Sequence, residues 1–274
     1  MQVSAQSARG RSCDCREADT AQPPDPGRTP TSCNFDYRPQ HLPQGSRTAV
    51  LASAAPAASV QDDSALESAL HYFTRHDAGD IRTPFDSVRP APVSDAERGR
   101  SLAMLPAEGD LRDLNTAQRR KVAAVWRVIA LHQREAVYVI KVIAVPQAAV
   151  ALHDRAVLLV SQPALDLLDA EELQALVAHE VGHEYFWGEY LQGRRDNSQS
   201  SLHRLELLCD GIAVITLQRV GVNPERLTAA LEKIVRYNRN RFGVAVTEGN
   251  YPALSERRRF VGRLVAWLER SGAP

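Results

Sequence analysis

The sequence predicts an α+β fold that is mostly helical, with a small sheet, preceded by a disordered leader. Helix-capping residues followed by apolar residues at helical spacing recur from residue 61 onwards. Two segments dense in β-branched residues, 136–145 and 155–161, interrupt the helices and predict strands. Residues 1–60 differ from both, since they are rich in Pro, Ser, Ala, Gln and Arg without a hydrophobic period.

The composition argues against some classes of function and partner. The 274 residues include 33 Lys plus Arg and 33 Asp plus Glu, a balance that gives no support to nucleic-acid binding. No run of about 18 apolar residues exists, so we predict no transmembrane segment. The four cysteines form neither a disulfide framework nor a Cys-x-x-Cys zinc ribbon. We therefore expect a soluble protein.

The leader allows two interpretations of the compartment. Residues 47–58 resemble the tail of a secretion signal, with small residues where cleavage would occur, although the apolar part is short. An Ala-rich linker is the favoured alternative. The sequence is therefore consistent with a cytoplasmic protein, or with an exported one if the start or residues 47–58 are a processed signal.

Residues 61–112 are predicted to form a short helical extension between the leader and the main domain. Residues 62–64 can cap a helix that runs through Phe73. Several prolines then interrupt the chain, and Ser94 or Asp95 can open a second short helix.

The main domain, residues 113–274, is predicted to begin with an amphipathic helix over 117–134, with Thr116 as its N-cap. The two predicted strands follow, and His153 and Asp154 lie in the turn between them. His153 is a metal ligand in principle, but a solvated turn histidine is favoured. An exposed strand edge beside a cleft would be able to bind an extended peptide through main-chain hydrogen bonds.

A His-Glu-x-x-His pattern carries the strongest functional signal in the chain. It lies in a predicted helix that Asp169 caps, with Glu172 completing a capping box. Because residues four apart share one helical face, His179 and His183 can bind a single metal ion, and Glu180 can reach a water beside it. That arrangement is typical of a zinc hydrolase of the peptidase type. The alternative is a surface helix with two histidines and two glutamates.

A catalytic zinc needs a third protein ligand and an open position for water. On the next predicted helix, Glu206 and Asp210 lie four residues apart among apolar neighbours, so both acids are expected to be buried and to need a partner. Glu206 can then ligate the metal, and Asp210 can accept a hydrogen bond from a ligand imidazole. His203 and Cys209 are rival ligands on nearby turns. Residues 193–201, between the two helices, are predicted to form a polar loop.

These residues resemble the core of the HtpX and CAAX-prenyl-protease family of zinc metallopeptidases, which are gluzincins. The similar parts are residues 159–184 and the Glu-x-x-x-Asp-x-x-Ala pattern that begins at Glu206. The resemblance implies a zincin-like metallopeptidase domain with one Zn²⁺ per chain, held by His179, His183 and Glu206. It also implies Asp210 as the hydrogen-bond partner of a ligand.

The segment before the last predicted helix is similar to the family's His-Pro segment, in which an Arg follows the His by six residues. Pro252 and Arg257 match, whereas Tyr251 stands in place of the His. A Tyr hydroxyl can donate to an oxyanion, so Tyr251 is a candidate catalytic stabiliser, with packing as the favoured alternative. Family members of the prenyl-protease and heat-shock type carry membrane helices, which this sequence does not show.

The sequence thus predicts a zinc-dependent endopeptidase that hydrolyses peptide bonds of a protein or peptide substrate with metal-activated water. Glu180 is the expected base that accepts the water proton. Two alternatives stay open: a regulatory metallopeptidase specific for one protein partner, and a non-catalytic zinc-binding scaffold of the same fold. The oligomeric state does not follow from these features.

Overall fold

A computed structural model describes residues 61–75, 92–105, 114–243 and 251–271. These ranges contain mostly helices and one three-stranded mixed sheet, which confirms the predicted mostly helical α+β class. In chain order the elements are α1 (Gln61–Thr74), α2 (Asp95–Ala103), α3 (Thr116–Leu131), β1 (Val139–Ile143), β2 (Val150–His153), β3 (Val157–Ser161), α4 (Gln162–Leu167), α5 (Ala170–Tyr185), α6 (Trp187–Asp196), α7 (Gln199–Arg219), α8 (Glu225–Phe242) and α9 (Leu254–Arg270).

The helix starts follow from local capping chemistry. Ser94 caps α2, as predicted, through a capping box with Glu97. The N-cap of α3 is Asn115, and the predicted Thr116 is instead its first helical residue. The Asn115 side chain accepts the hydrogen bond of Gln118 N at 2.9 Å, so it supplies the cap one residue earlier.

The predicted polar loop over 193–201 is wrong, because most of it is helical. α6 continues to Asp196, Asn197 adopts a left-handed conformation with φ 48°, and Ser198 caps α7. The polar residues of this stretch are therefore largely the exposed face of two helices, and the break between them needs only two residues. The predicted leader, residues 1–60, lies outside the described residues.

The sheet has the order β1–β3–β2, with β1 parallel and β2 antiparallel to the central β3. The sequence did not predict β2, and it placed His153 in a turn. His153 is instead the last residue of β2, and Asp154 and Arg155 form the turn with φ values of 46° and 58°. The strand was missed because its four residues carry a weak β signal beside the two longer β-branched segments.

Hydrogen bonds from two side chains fix the start of β2. Asn238 of α8 accepts from Ala148 N and donates to Ala148 O, both at 2.9 Å. Ser161, at the end of β3, accepts from Ala149 N with its hydroxyl oxygen at 2.9 Å. The edge strand is therefore held at its entrance by α8 and by its neighbour in the sheet.

Replacing Asn238 with leucine is expected to lower the free energy of unfolding by about 1–3 kcal/mol, because the N–H and C=O of buried Ala148 lose their partners. Asn240→Leu, at an exposed position of the same helix, is the matched control. Urea unfolding of both variants tests this, and equal stabilities would contradict the anchoring role of Asn238.

The core brings α5 and α7 into close contact. A Cβ atom built on Gly182 of α5 would lie 2.8 Å from the Cα of Cys209 in α7, so the glycine permits the approach. α1 packs on α7 in the same way, since Phe73 fills the space beside Gly211. All of the described residues fall within one compact unit of the chain. In those residues, no helix combines the length and the apolar character needed to cross a lipid bilayer.

Candidate metal centre

Helix α5 presents the His-Glu-x-x-His residues to one site. Its N-terminus has the predicted capping box between Asp169 and Glu172. The rings of His179 and His183 face each other nearly at right angles, with centroids 5.0 Å apart. Metal-ligating atoms of His179, Glu180 and His183 all lie within 4.8 Å of one another, so this group could hold a metal ion.

Glu206 of α7 faces both imidazoles, although it is not part of that tightest group. Its Oε2 lies 3.3 Å from His179 Nε2, and its Oε1 lies 3.7 Å from His183 Nε2. The close contact at Gly182 allows α7 to bring this carboxylate so near to α5. Neither of the two rival residues, His203 and Cys209, makes a hydrogen bond to either imidazole in the described structure.

Cys209 lies on the contact between the two helices and is fully buried. Burial raises the pKa of its thiol well above the ordinary value, and the nearby carboxylate charges of Glu206 and Asp210 raise it further. The thiol is therefore protonated in the metal-free protein. His153, the other candidate that was weighed, lies in the β2–β3 hairpin 3.5 Å from the Asp154 carboxylate and outside the metal-ligating group.

Asp210 and Arg257 form a buried ion pair behind the first histidine. Asp210 Oδ1 lies 2.9 Å from His179 Nδ1, and Arg257 of α9 donates to the same carboxylate, with Nε 2.8 Å from Oδ2. Burial opposes ionisation of Asp210, but the Arg257 charge and the His179 hydrogen bond outweigh it and hold the pKa of Asp210 below its ordinary value. Arg257 Nη1 also lies 3.7 Å from Glu206 Oε2.

Arg257 was not among the predicted site residues. The signal that could have found it is the Pro252 and Arg257 match within the His-Pro-like segment, which was used only to consider Tyr251. No capping or periodicity rule predicts that an arginine on the last helix reaches a carboxylate on α7, because that contact is made by tertiary packing.

The Asp210 bond determines the tautomer of His179. An ionised carboxylate only accepts hydrogen bonds, so His179 Nδ1 carries the proton and donates it. In the neutral ring, the Nε2 lone pair then points at Glu206 Oε2, only 3.3 Å away. Two acceptors facing each other in a buried site need a cation between them, which is either a proton or a metal ion.

The charges of the apoprotein agree with this geometry. Burial lowers the pKa of His179, but the hydrogen bonds to Asp210 and Glu206 outweigh it and raise the pKa to about 9. Burial lowers the pKa of His183 to about 4, so its imidazole is neutral and can act as a ligand. Burial raises the pKa of Glu206, but the contacts with the two histidines lower it to about 2. Two nitrogens and one carboxylate are a donor set that suits zinc.

Glu180 is held by the edge strand. Its Oε2 accepts the hydrogen bond of Leu152 N in β2 at 2.9 Å. Burial is the main cause that raises the pKa of Glu180 to about 7, and the charge of Glu206 adds to it. A carboxyl with a pKa near neutrality can both accept and return a proton at physiological pH.

Glu184, the acid that directly follows the motif, makes contacts that stabilise the fold. It is buried and accepts a hydrogen bond from the Tyr138 hydroxyl. It also forms ion pairs with Arg134 at 3.1 Å and Arg155 at 3.2 Å. Glu184 therefore ties the end of α5 to the sheet and to the turn after β2, and does not face the metal group.

Two tyrosines, Tyr251 and Tyr190, differ in their contacts with this centre. Tyr251 is 41% exposed, and no hydrogen bond joins it to His179, His183 or Glu206. Its role as a catalytic stabiliser stays a prediction. Tyr190 of α6 lies against His183 with ring centroids 5.9 Å apart.

No model of a known protein family matches the chain, and no curated protein matches it either. The described residues by themselves show a buried His-Glu-His group, backed by two further acids and an arginine, that could hold a metal ion.

Proposed function

We propose that this protein is a zinc-dependent endopeptidase with a zincin-like domain, of the type that its resemblance to the HtpX and CAAX-prenyl-protease gluzincins implies. The observation that carries the proposal is the arrangement around His179. Its Nε2 lone pair opposes the Glu206 carboxylate in a buried site, where a proton satisfies both acceptors in the metal-free protein and a metal ion can take its place. The adjacent Glu180 supplies the base that peptide hydrolysis needs.

In this mechanism, His179, His183 and Glu206 hold the zinc ion, and Asp210 with Arg257 keeps the His179 ring in its ligating tautomer. Bound zinc supplies a Lewis acid that makes water acidic and a carbonyl electrophilic. Glu180 takes a proton from the attacking water and then gives it to the amine nitrogen that leaves. One Glu180 oxygen stays fixed by Leu152 N, and the other makes no hydrogen bond in the described ranges and is free to face the water.

The position of β2 supports a peptide as the substrate class. Hydrogen-bonded pairs alternate along an antiparallel ladder, and Ser161 N donates to Ala149 O. The main-chain groups of Val150 and Leu152 therefore point away from β3, and Leu152 N reaches Glu180 on that side. No further strand of the described residues pairs with this side of β2. The main-chain groups of Val150 and the Leu152 carbonyl therefore run beside the proposed base, where an extended peptide can pair with them.

Metal removal tests this proposal. The purified protein is expected to cut fluorescently labelled casein, to lose that activity on treatment with 1,10-phenanthroline, and to regain it with stoichiometric Zn²⁺. An inhibitor of serine proteases serves as the control and is expected to have no effect. Cleavage that continues at the full rate without metal would contradict the proposal. A zinc-loaded protein that cuts neither casein nor a broad peptide library would favour the non-catalytic scaffold.

A further inference from the structure

Tyr190 is a polar side chain beside the metal centre for which the mechanism above has no use. Helix α5 ends at Tyr185, Phe186 lies between it and α6, and Tyr190 of α6 contacts the ring of His183. The Tyr190 and His183 rings meet edge to face, with an interplanar angle of 68°. Trp187 stacks on the Tyr190 ring, with ring centroids 5.3 Å apart. The ring of Tyr190 is therefore held by two aromatic contacts.

The hydroxyl of Tyr190, in contrast to its ring, has no partner. It makes no hydrogen bond to any residue in the described ranges, although the side chain is half-buried. It is not one of the buried side-chain atoms that lack a partner, so it is accessible to solvent. A molecule that enters the site can therefore replace water as the partner of this hydroxyl.

Two other donors near the centre already have partners. Arg257 donates to Asp210 and lies beside Glu206, and Leu152 N donates to Glu180. Peptide hydrolysis develops negative charge on the carbonyl oxygen, and a fixed donor aimed at that oxygen lowers the barrier. Among the described residues that pack against His183, Tyr190 offers such a donor.

We propose that the Tyr190 hydroxyl donates a hydrogen bond to the carbonyl oxygen of the peptide bond being cut, so that Tyr190 is a catalytic residue. This inference rests on the proposed function. The alternative is that Tyr190 only forms a wall of the cleft, and Tyr190→Phe separates the two roles because it keeps the ring and removes the hydroxyl.

The experiment compares the wild type, Tyr190→Phe and Tyr237→Phe, a matched change of a partly buried tyrosine on α8. All three are expected to bind the same amount of zinc. Tyr190→Phe is expected to lower kcat on labelled casein on the order of 10²-fold with little change in KM, because the bond forms with the charge of the transition state. Tyr237→Phe is expected to retain the wild-type kcat.

A second readout does not depend on turnover. In the cobalt(II)-substituted proteins, acetohydroxamate presents a carbonyl oxygen to the metal, and its binding is followed by visible absorption. Tyr190→Phe is expected to bind this probe about tenfold more weakly than the wild type, as loss of one hydrogen bond predicts. Equal kcat and equal affinity in the wild type and Tyr190→Phe would overturn the role of Tyr190 while leaving the proposed function intact. A wild type that binds metal but neither cuts casein nor binds acetohydroxamate would overturn both.

Discussion

Glu180→Gln is expected to abolish peptide hydrolysis while leaving zinc bound. The glutamine amide oxygen can still accept the hydrogen bond from Leu152 N, so the side chain keeps its position. It cannot take a proton from water, and loss of a positioned base lowers kcat by about 10²–10⁴-fold. Zinc content is expected to be unchanged, because His179, His183 and Glu206 remain. Turnover on labelled casein and elemental analysis of the same preparation provide the two measurements.

The control for this variant is Glu189→Gln, which makes the same chemical change at an exposed carboxylate that pairs with Arg204 on the surface. It is expected to retain the wild-type kcat. Glu180→Gln with undiminished activity would remove Glu180 from the mechanism. A loss of zinc together with activity would instead show that Glu180 acts as a ligand, an arrangement that its place in the tightest group of metal-ligating atoms also allows.

Arg257→Met is expected to lower the free energy of unfolding of the metal-free protein by about 3–5 kcal/mol, because it leaves the Asp210 carboxylate buried without its counter-charge. It is also expected to weaken zinc binding by about 10–100-fold, since Asp210 no longer holds the His179 ring as firmly. Urea unfolding in the presence of a chelator separates the first effect from metal loss, and competition with a zinc indicator measures the second.

Arg258→Met is the matched control, since this neighbouring arginine is 59% exposed at its side chain and pairs with Glu232 on the surface. It is expected to change the stability by less than about 1 kcal/mol. If Arg257→Met proved as stable as Arg258→Met and bound zinc equally well, the buried ion pair would have no part in the centre.

The sequence predicted those parts of the centre that depend on local spacing. The capping box of α5 and the shared face of His179 and His183 follow from helical geometry alone. Glu206 and Asp210 were linked to the histidines because acids on a buried helix need partners, and the structure brings both to His179. These inferences depend on two features that the sequence pattern indicates. The segment is a helix, and the helix is buried.

The residues that were missed owe their positions to packing between elements distant in the chain. Arg257 reaches Asp210 from α9, and Leu152 N reaches Glu180 from an edge strand that the sequence did not predict. Tyr190 reaches His183 from α6, beyond the helix break at Phe186. A pattern read along the chain does not contain such contacts.

The most direct test of a zinc site made by α5 and α7 is the amount of zinc per chain in the wild type and in Glu206→Ala, measured by elemental analysis after chelator-free purification. The account predicts about one zinc per wild-type chain and a sharply reduced amount in the variant. A wild type without zinc would contradict the metal centre. Full retention of zinc by Glu206→Ala would contradict the assignment of Glu206 as the third ligand and would direct the search to Glu180, His203 or Cys209.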